Sequence, residues 1–107
     1  LAKGDASATP WDDPHTYASG LRVPGPLGDR FLLAAMRESG GAAVAVTDET
    51  MRAATRRLAS ATGIDAAPEG GCALAALESL VAEGSLGRSD EVVLFNTGAG
   101  ASYRWRA

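Results

Sequence analysis

Apolar positions along the chain fall into two alternating textures once a long irregular start is passed. Residues 30–38 place Leu32, Ala35 and Met36 at helical spacing, with Arg30, Arg37 and Glu38 off that face. Gly40 and Gly41 close this helix. Ala42-Ala43-Val44-Ala45-Val46 follows without alternation, the pattern of a strand covered on both faces. Thr47 or Asp48 caps a second helix, and Asp48 and Glu49 complement the dipole of its first turn. Met51, Ala54, Leu58 and Ala61 share one face of that helix. Arg52, Arg56 and Arg57 lie largely away from it and read as a solvated face rather than an anion site. Gly63 ends the helix, and residues 64–67 read as a short strand.

Pro68-Glu69-Gly70-Gly71 reads as a turn that opens a third helix, residues 72–83. Ala73, Leu74, Leu77, Leu80 and Val81 give this helix a broad apolar stripe, and Gly84 suits its end. After a polar loop, residues 92–95 form another continuous apolar run. Strand-like runs alternating with helices predict an α/β fold: a small parallel sheet of about three strands with flanking helices. So small a sheet has unpaired edges, so the rest of it is expected from further chain. Residues 1–26 hold four of the five prolines and show neither period. They read as an irregular loop or linker, with residues 27–107 forming the α/β portion.

Composition narrows the function. The chain has 107 residues, of which 46% are hydrophobic, enough for one small packed domain. Its net charge of -3, with both signs interspersed, argues against nucleic acid or an anionic membrane as the main partner. No apolar run reaches the roughly 20 residues that span a bilayer, and no signal peptide is visible. Cys72, alone of its kind, excludes an internal disulfide and fits a reducing cytosol, hence a cytoplasmic location. It reads as a small buried helix residue rather than a reactive thiol. The first residue is not methionine, and the chain is expected to be a segment of a larger protein.

The candidate chemistry lies where the last apolar run meets Asn96-Thr97-Gly98-Ala99-Gly100. In open α/β sheets, ligands bind beyond the carboxyl ends of the strands. Gly98 and Gly100 allow close backbone approach, and Thr97 offers a hydroxyl that donates or accepts. On these residues alone a plain structural turn is equally compatible. Gly98-Ala99-Gly100 can also imitate a phosphate-binding loop, but no helix pattern follows it. His15, the sole histidine, reads as a loop residue with a local hydrogen bond rather than a general acid or base. One Cys and one His make no metal site. Trp11, Tyr103 and Trp105 lie near the two ends and can pack against further chain.

Three segments in order carry a resemblance: residues 14–24 (Pro14-His15-Thr16-Tyr17-Ala18-Ser19-Gly20-Leu21-Arg22-Val23-Pro24), Pro68-Glu69-Gly70-Gly71-Cys72-Ala73, and Asn96-Thr97-Gly98-Ala99-Gly100. Arg37-Glu38-Ser39-Gly40-Gly41 and Ala45-Val46-Thr47-Asp48-Glu49 join them. Together, over about residues 10–105, they resemble the C-terminal part of the threonine synthase family. These are fold type II pyridoxal phosphate enzymes related to the tryptophan synthase β chain. Threonine and serine dehydratases share the proline-turn-helix and the hydroxyl-glycine loop; residues 16–24 favour the synthase.

The resemblance implies pyridoxal 5'-phosphate as cofactor and O-phosphohomoserine as small-molecule substrate, converted with water to threonine and phosphate. It implies that Thr97 bonds the pyridine nitrogen, with Gly98 beside it, and that Ser19 and Gly20 pass the ring. Glu69 is expected at the same strand ends, either touching the ring edge or substrate, or solvated or capping its helix. A homodimer is compatible with it. The family holds its cofactor as a Schiff base on a lysine. Lys3, the only lysine, matches no such motif, so this chain by itself is expected to be inert, its lysine and phosphate loop lying upstream. A dehydratase and a stand-alone, cofactor-free α/β interaction module are the alternatives.

Overall fold

The computed structural model describes residues 4–104. Its helices are α1 (Asp29–Ser39), α2 (Asp48–Thr62), α3 (Pro68–Ala82) and the one-turn α4 (Ala101–Arg104), with a 3-10 turn at Ser19–Leu21. Lys3 and Trp105 lie outside the described residues. The chain divides into two compact units, Leu1–Val44 and Ala45–Ala107.

In the first unit, α1 anchors an otherwise irregular chain. The Asp29 carboxylate accepts from the Ala8 amide at 2.7 Å, and the Arg37 guanidinium donates to the Asp5 carbonyl. Trp11 N–H donates to the Pro24 carbonyl at 2.8 Å, closing the proline-rich loop on itself. No residue of α1 is buried, and Phe31 on its surface is 82% exposed. Gly40 ends the helix at φ 68°, a left-handed conformation that glycine adopts without strain.

In the second unit, Thr47 is the cap: its side chain accepts from the Thr50 amide at 3.2 Å, satisfying one of the donors orphaned at a helix start. Helix α2 buries Met51, Ala54 and Leu58. Burying a side chain the size of Met51 or Leu58 stabilises by roughly 1.5–3 kcal/mol. Ala61, expected on the same face, is exposed in the last turn. Helix α3 begins at Pro68, not at Cys72. Proline at the first helical position lacks only an N–H that would be orphaned anyway, and its fixed φ suits the helix. Gly70 and Gly71 are therefore helical rather than a turn. Both also stand close to neighbouring segments: a Cβ on Gly71 would lie 1.9 Å from Thr55 Oγ1 and 2.7 Å from the Met51 carbonyl oxygen. Arg57 of the expected solvated cluster reaches across to α3, its Nε 3.0 Å from Glu78 Oε1.

The expected parallel sheet of three strands is not present among the described residues. Residues 42–46 and 91–95 lie outside any ladder. The one β-bridge found among them joins Ala66 to Ala99, and it is antiparallel. A parallel strand is defined by a neighbour to bond to, and no described segment supplies one. The apolar run is consequently open, with Val93 82% and Phe95 78% exposed. Leu74, Leu77 and Leu80 of the α3 stripe are only half-buried. What is established is the helical framework, with one bridge in place of a sheet.

Exposed apolar groups of this size are uncommon on soluble monomers. The chain alone is expected to self-associate, with a light-scattering mass that rises with concentration. Val93→Asp together with Phe95→Asp should lower that mass. A wild-type chain that stays monomeric at all concentrations would contradict the expectation.

Candidate functional site

The Asn96–Gly100 loop is laid onto the N-terminal end of α3 by backbone complementarity. Ala67 N–H donates to the Gly98 carbonyl and Gly100 N–H to the Asp65 carbonyl, each at 2.9 Å. Glycine makes this approach possible. A Cβ on Gly98 would stand 3.0 Å from Ala67 Cβ, and one on Gly100 would stand 2.3 Å from Asp65 Oδ1 and 3.0 Å from the Ala66 carbonyl oxygen. On the other side, a Cβ on Gly70 would lie 2.4 Å from Asn96 Oδ1, so the Asn96 side chain rests where α3 has none. The space left by the missing side chains is filled by the chain itself. Thr97, between these contacts, is exposed, and its hydroxyl has no hydrogen bond among the described residues.

Past the loop the chain does turn helical, contrary to the sequence expectation. Ser102 and Tyr103 amides bond back to the Ala99 and Gly100 carbonyls at 3.1 and 3.0 Å, starting α4. This turn carries two side chains back to the α3 end. The Tyr103 hydroxyl donates to Glu69 Oε1, both residues being half-buried. Arg104 grips Asp65 with two bonds, 3.1 and 2.8 Å, in an exposed fork-to-carboxylate pair. Periodicity did not single out Asp65, Tyr103 or Arg104; a single helical turn is too short to show a period.

The site residues inferred from sequence thus fall in both units. Thr97, Gly98 and Glu69 gather around the start of α3. Ser19 and Gly20 belong to the first unit, in a 3-10 turn that follows the fully buried Ala18 and is closed by Leu21 N–H on the Ala18 carbonyl at 2.9 Å. Glu69 lies in the first turn of α3, where its charge favours the dipole, and it is also the acceptor for Tyr103. His15 has the expected local bond, Nε2 to Asp13 Oδ2 at 2.8 Å.

Two titrating groups sit in this region. The hydrogen bonds from Arg104, joined by its charge, hold the Asp65 carboxyl below the usual aspartate range. A lowered folded-state pKa stabilises above the unfolded value and is lost as pH falls through the folded one. The Asp65–Arg104 clasp is therefore expected to persist through mild acid and open only below the ordinary carboxylate range. The Asp65 side-chain carbon resonance should titrate low in the wild type and return to the ordinary range in Arg104→Gln; equal midpoints would deny the pair. Burial, then the nearby Glu69 charge, pushes the Cys72 thiol up. Since the thiolate is the nucleophile, Cys72 should alkylate with iodoacetamide more slowly than free cysteine at neutral pH. Alkylation at the free-cysteine rate would contradict this.

A shallow concavity on the outer face of α2 is lined by Ala53, Arg56, Arg57, Ser60 and Ala61, but Arg57 there is already paired with Glu78. It offers less than the loop site.

Comparison with known proteins decides the family. The profile of the family described as pyridoxal-phosphate dependent enzyme matches residues 2–98. The chain belongs to that family. Its relatives include the threonine synthase of Methanosarcina acetivorans, 39% identical over 98 residues, which cover 92% of this chain and 24% of the relative. The threonine synthase of Methanocaldococcus jannaschii is 36% identical over 85% of this chain and 22% of its own length. That of Halalkalibacterium halodurans is 33% identical over 83% and 25%. The chain thus spans about a quarter of the length of the curated relatives it matches. The family is pyridoxal-phosphate dependent, as the resemblance implied. Among the described residues, no helix is long and apolar enough to cross a membrane.

Proposed function

We propose that this chain is the C-terminal portion of a threonine synthase, a lyase in which O-phosphohomoserine and water become threonine and phosphate. The observation that carries the reading is the exposed Thr97 hydroxyl, held at the tip of a loop docked on the start of α3. The likeness to three threonine synthases over more than four-fifths of the chain supports it.

The donor set fits pyridoxal phosphate at its ring. Thr97 would hold the pyridine nitrogen, and Gly98, Ser19 and Gly20 are proposed as further cofactor-binding residues. Glu69 stands at the rim of the site. The remaining polypeptide provides the lysine and the phosphate loop. When bound, the cofactor withdraws electrons from the substrate, allowing protons to leave carbon and phosphate to depart from the γ position. Thr97 contributes by what it lacks. A neutral hydroxyl does not force a proton onto the ring nitrogen, whereas a carboxylate favours it. The electron demand is moderated, which suits elimination and replacement.

The test uses the complete polypeptide with two substrates. Stoichiometric phosphate and threonine from O-phosphohomoserine are expected. Deamination of threonine to a 2-oxo acid, without phosphate release from O-phosphohomoserine, would replace the synthase reading with a dehydratase.

A further inference from the structure

We infer that Tyr103 and Arg104 are positioning residues that hold Thr97 at the cofactor ring, by clasping α4 to Glu69 and Asp65 on either side of the segment that receives the loop. The inference rests on the assignment of Thr97 proposed above and adds residues that assignment does not contain.

The loop is approached by an unanchored arm. Residues 91–95 lie outside any ladder, and Val93 and Phe95 are open to solvent. On that side, among the described residues, Asn96 rests against Gly70. On the other side, two backbone bonds tie Gly98 and Gly100 to residues 65–67, and α4 continues from Gly100 without a break. A hydroxyl at residue 97 keeps its place only if this second side is rigid, because short exposed loops open at little free-energy cost. The two side-chain pairs supply that rigidity. They span 34 and 39 residues of sequence yet issue from consecutive positions on one turn. They land on Glu69 and Asp65, which bracket the Ala66–Ala99 bridge.

The pairs are unequal. Asp65 and Arg104 are exposed, and exposed pairs contribute little singly. Glu69 and Tyr103 are half-buried, so removing that hydroxyl leaves a partly desolvated carboxylate short of a donor. Tyr103 is the main latch and Arg104 the auxiliary one. Gly100 belongs to the same device: a Cβ there would lie 2.3 Å from Asp65 Oδ1, so a side chain would push Asp65 off Arg104.

The experiment is made on the holoenzyme carrying this segment, with Tyr103→Phe, Arg104→Gln, Gly100→Ala and Thr97→Val. Two readouts besides activity are followed: amide hydrogen exchange and the absorbance and fluorescence of bound pyridoxal phosphate. Tyr103→Phe should speed exchange at the Ala67 and Gly100 amides by about tenfold and leave the α2 amides unchanged. Arg104→Gln should speed it by only a few-fold, and Gly100→Ala should reproduce the loosening. Each should shift the cofactor spectrum in the direction of Thr97→Val. In the Thr97→Val background, Tyr103→Phe should add no further spectral shift, which a merely structural role would not produce. If Thr97→Val alters the spectrum while the clasp variants alter neither exchange nor spectrum, the positioning role is wrong and the Thr97 assignment stands. If Thr97→Val leaves the spectrum unchanged, the assignment of Thr97 fails and the inference with it.

Discussion

Replacing Thr97 by valine in the complete enzyme should slow turnover by about one to two powers of ten. Valine keeps the branched shape and removes the hydroxyl, so packing of the loop on Ala67 is retained while the ring nitrogen loses its partner. A buried acceptor left unpaired costs roughly 1–3 kcal/mol, and ~1.4 kcal/mol is tenfold in rate. In the enzyme the hydroxyl should lie about 2.7–3.0 Å from the nitrogen. Thr97→Asp should act through a different physical route. A carboxylate there favours a protonated nitrogen, so the absorbance of the bound cofactor should change along with the distribution of products. Steady-state kinetics and spectra of the two variants separate these effects. Wild-type turnover with an unchanged spectrum in both would leave Thr97 as an ordinary loop residue.

Helix α2 was legible because every signal for it is local. Thr47 caps it, Met51, Ala54 and Leu58 repeat at its period, and Gly63 turns left-handed at φ 73° to end it. The start of α3 was not legible, because Gly70 and Gly71 report a turn when read along the chain. Their reason for being glycine lies across space, in Asn96 and in Thr55 with the Met51 carbonyl. The apolar runs at residues 42–46 and 92–95 were visible as strand-like sequence. Pairing is a different property from composition: a ladder depends on a neighbour's backbone, and among the described residues these runs have none.

The candidate site divides in the same way. The hydroxyl-glycine loop could be read from five consecutive residues, and the loop docks on the start of α3. Its support could not be read. Glu69 and Tyr103 are 34 residues apart, and nothing in their spacing joins them. Tyr103 had looked like one of a few scattered aromatics, because a helix of four residues leaves no periodic trace. Glu69 was open between ring contact and helix capping. Its place in the first turn of α3 agrees with the capping reading, and its bond to Tyr103 adds a role that neither reading contained.

Gly71→Ala should destabilise the α2–α3 pair although alanine is the better helix former. Gly71 lies inside α3, and on propensity alone the exchange should gain about 1 kcal/mol. Against this stands the added methyl, 2.7 Å from the Met51 carbonyl oxygen and 1.9 Å from Thr55 Oγ1. The first is helix backbone and cannot yield without bending α2. The second belongs to a β-branched side chain whose hydroxyl already donates to that same carbonyl at 2.8 Å. Overpacking of this kind costs about 1–3 kcal/mol, so the clash should win, leaving a net loss of about 1 kcal/mol. At this chain length that corresponds to a melting temperature lower by about 4–8 °C, measurable by far-ultraviolet circular dichroism in dilute solution. Gly71→Val, with two more methyl groups at the same contact, should fall further. In a Thr55→Ala background the penalty of Gly71→Ala should shrink without vanishing, because the carbonyl remains. A higher melting temperature for Gly71→Ala would mean that helix propensity outweighs the contact and that α2 and α3 do not approach so closely. Helix–helix approach through Gly71 would then no longer explain how the start of α3, and the Thr97 loop resting on it, is held.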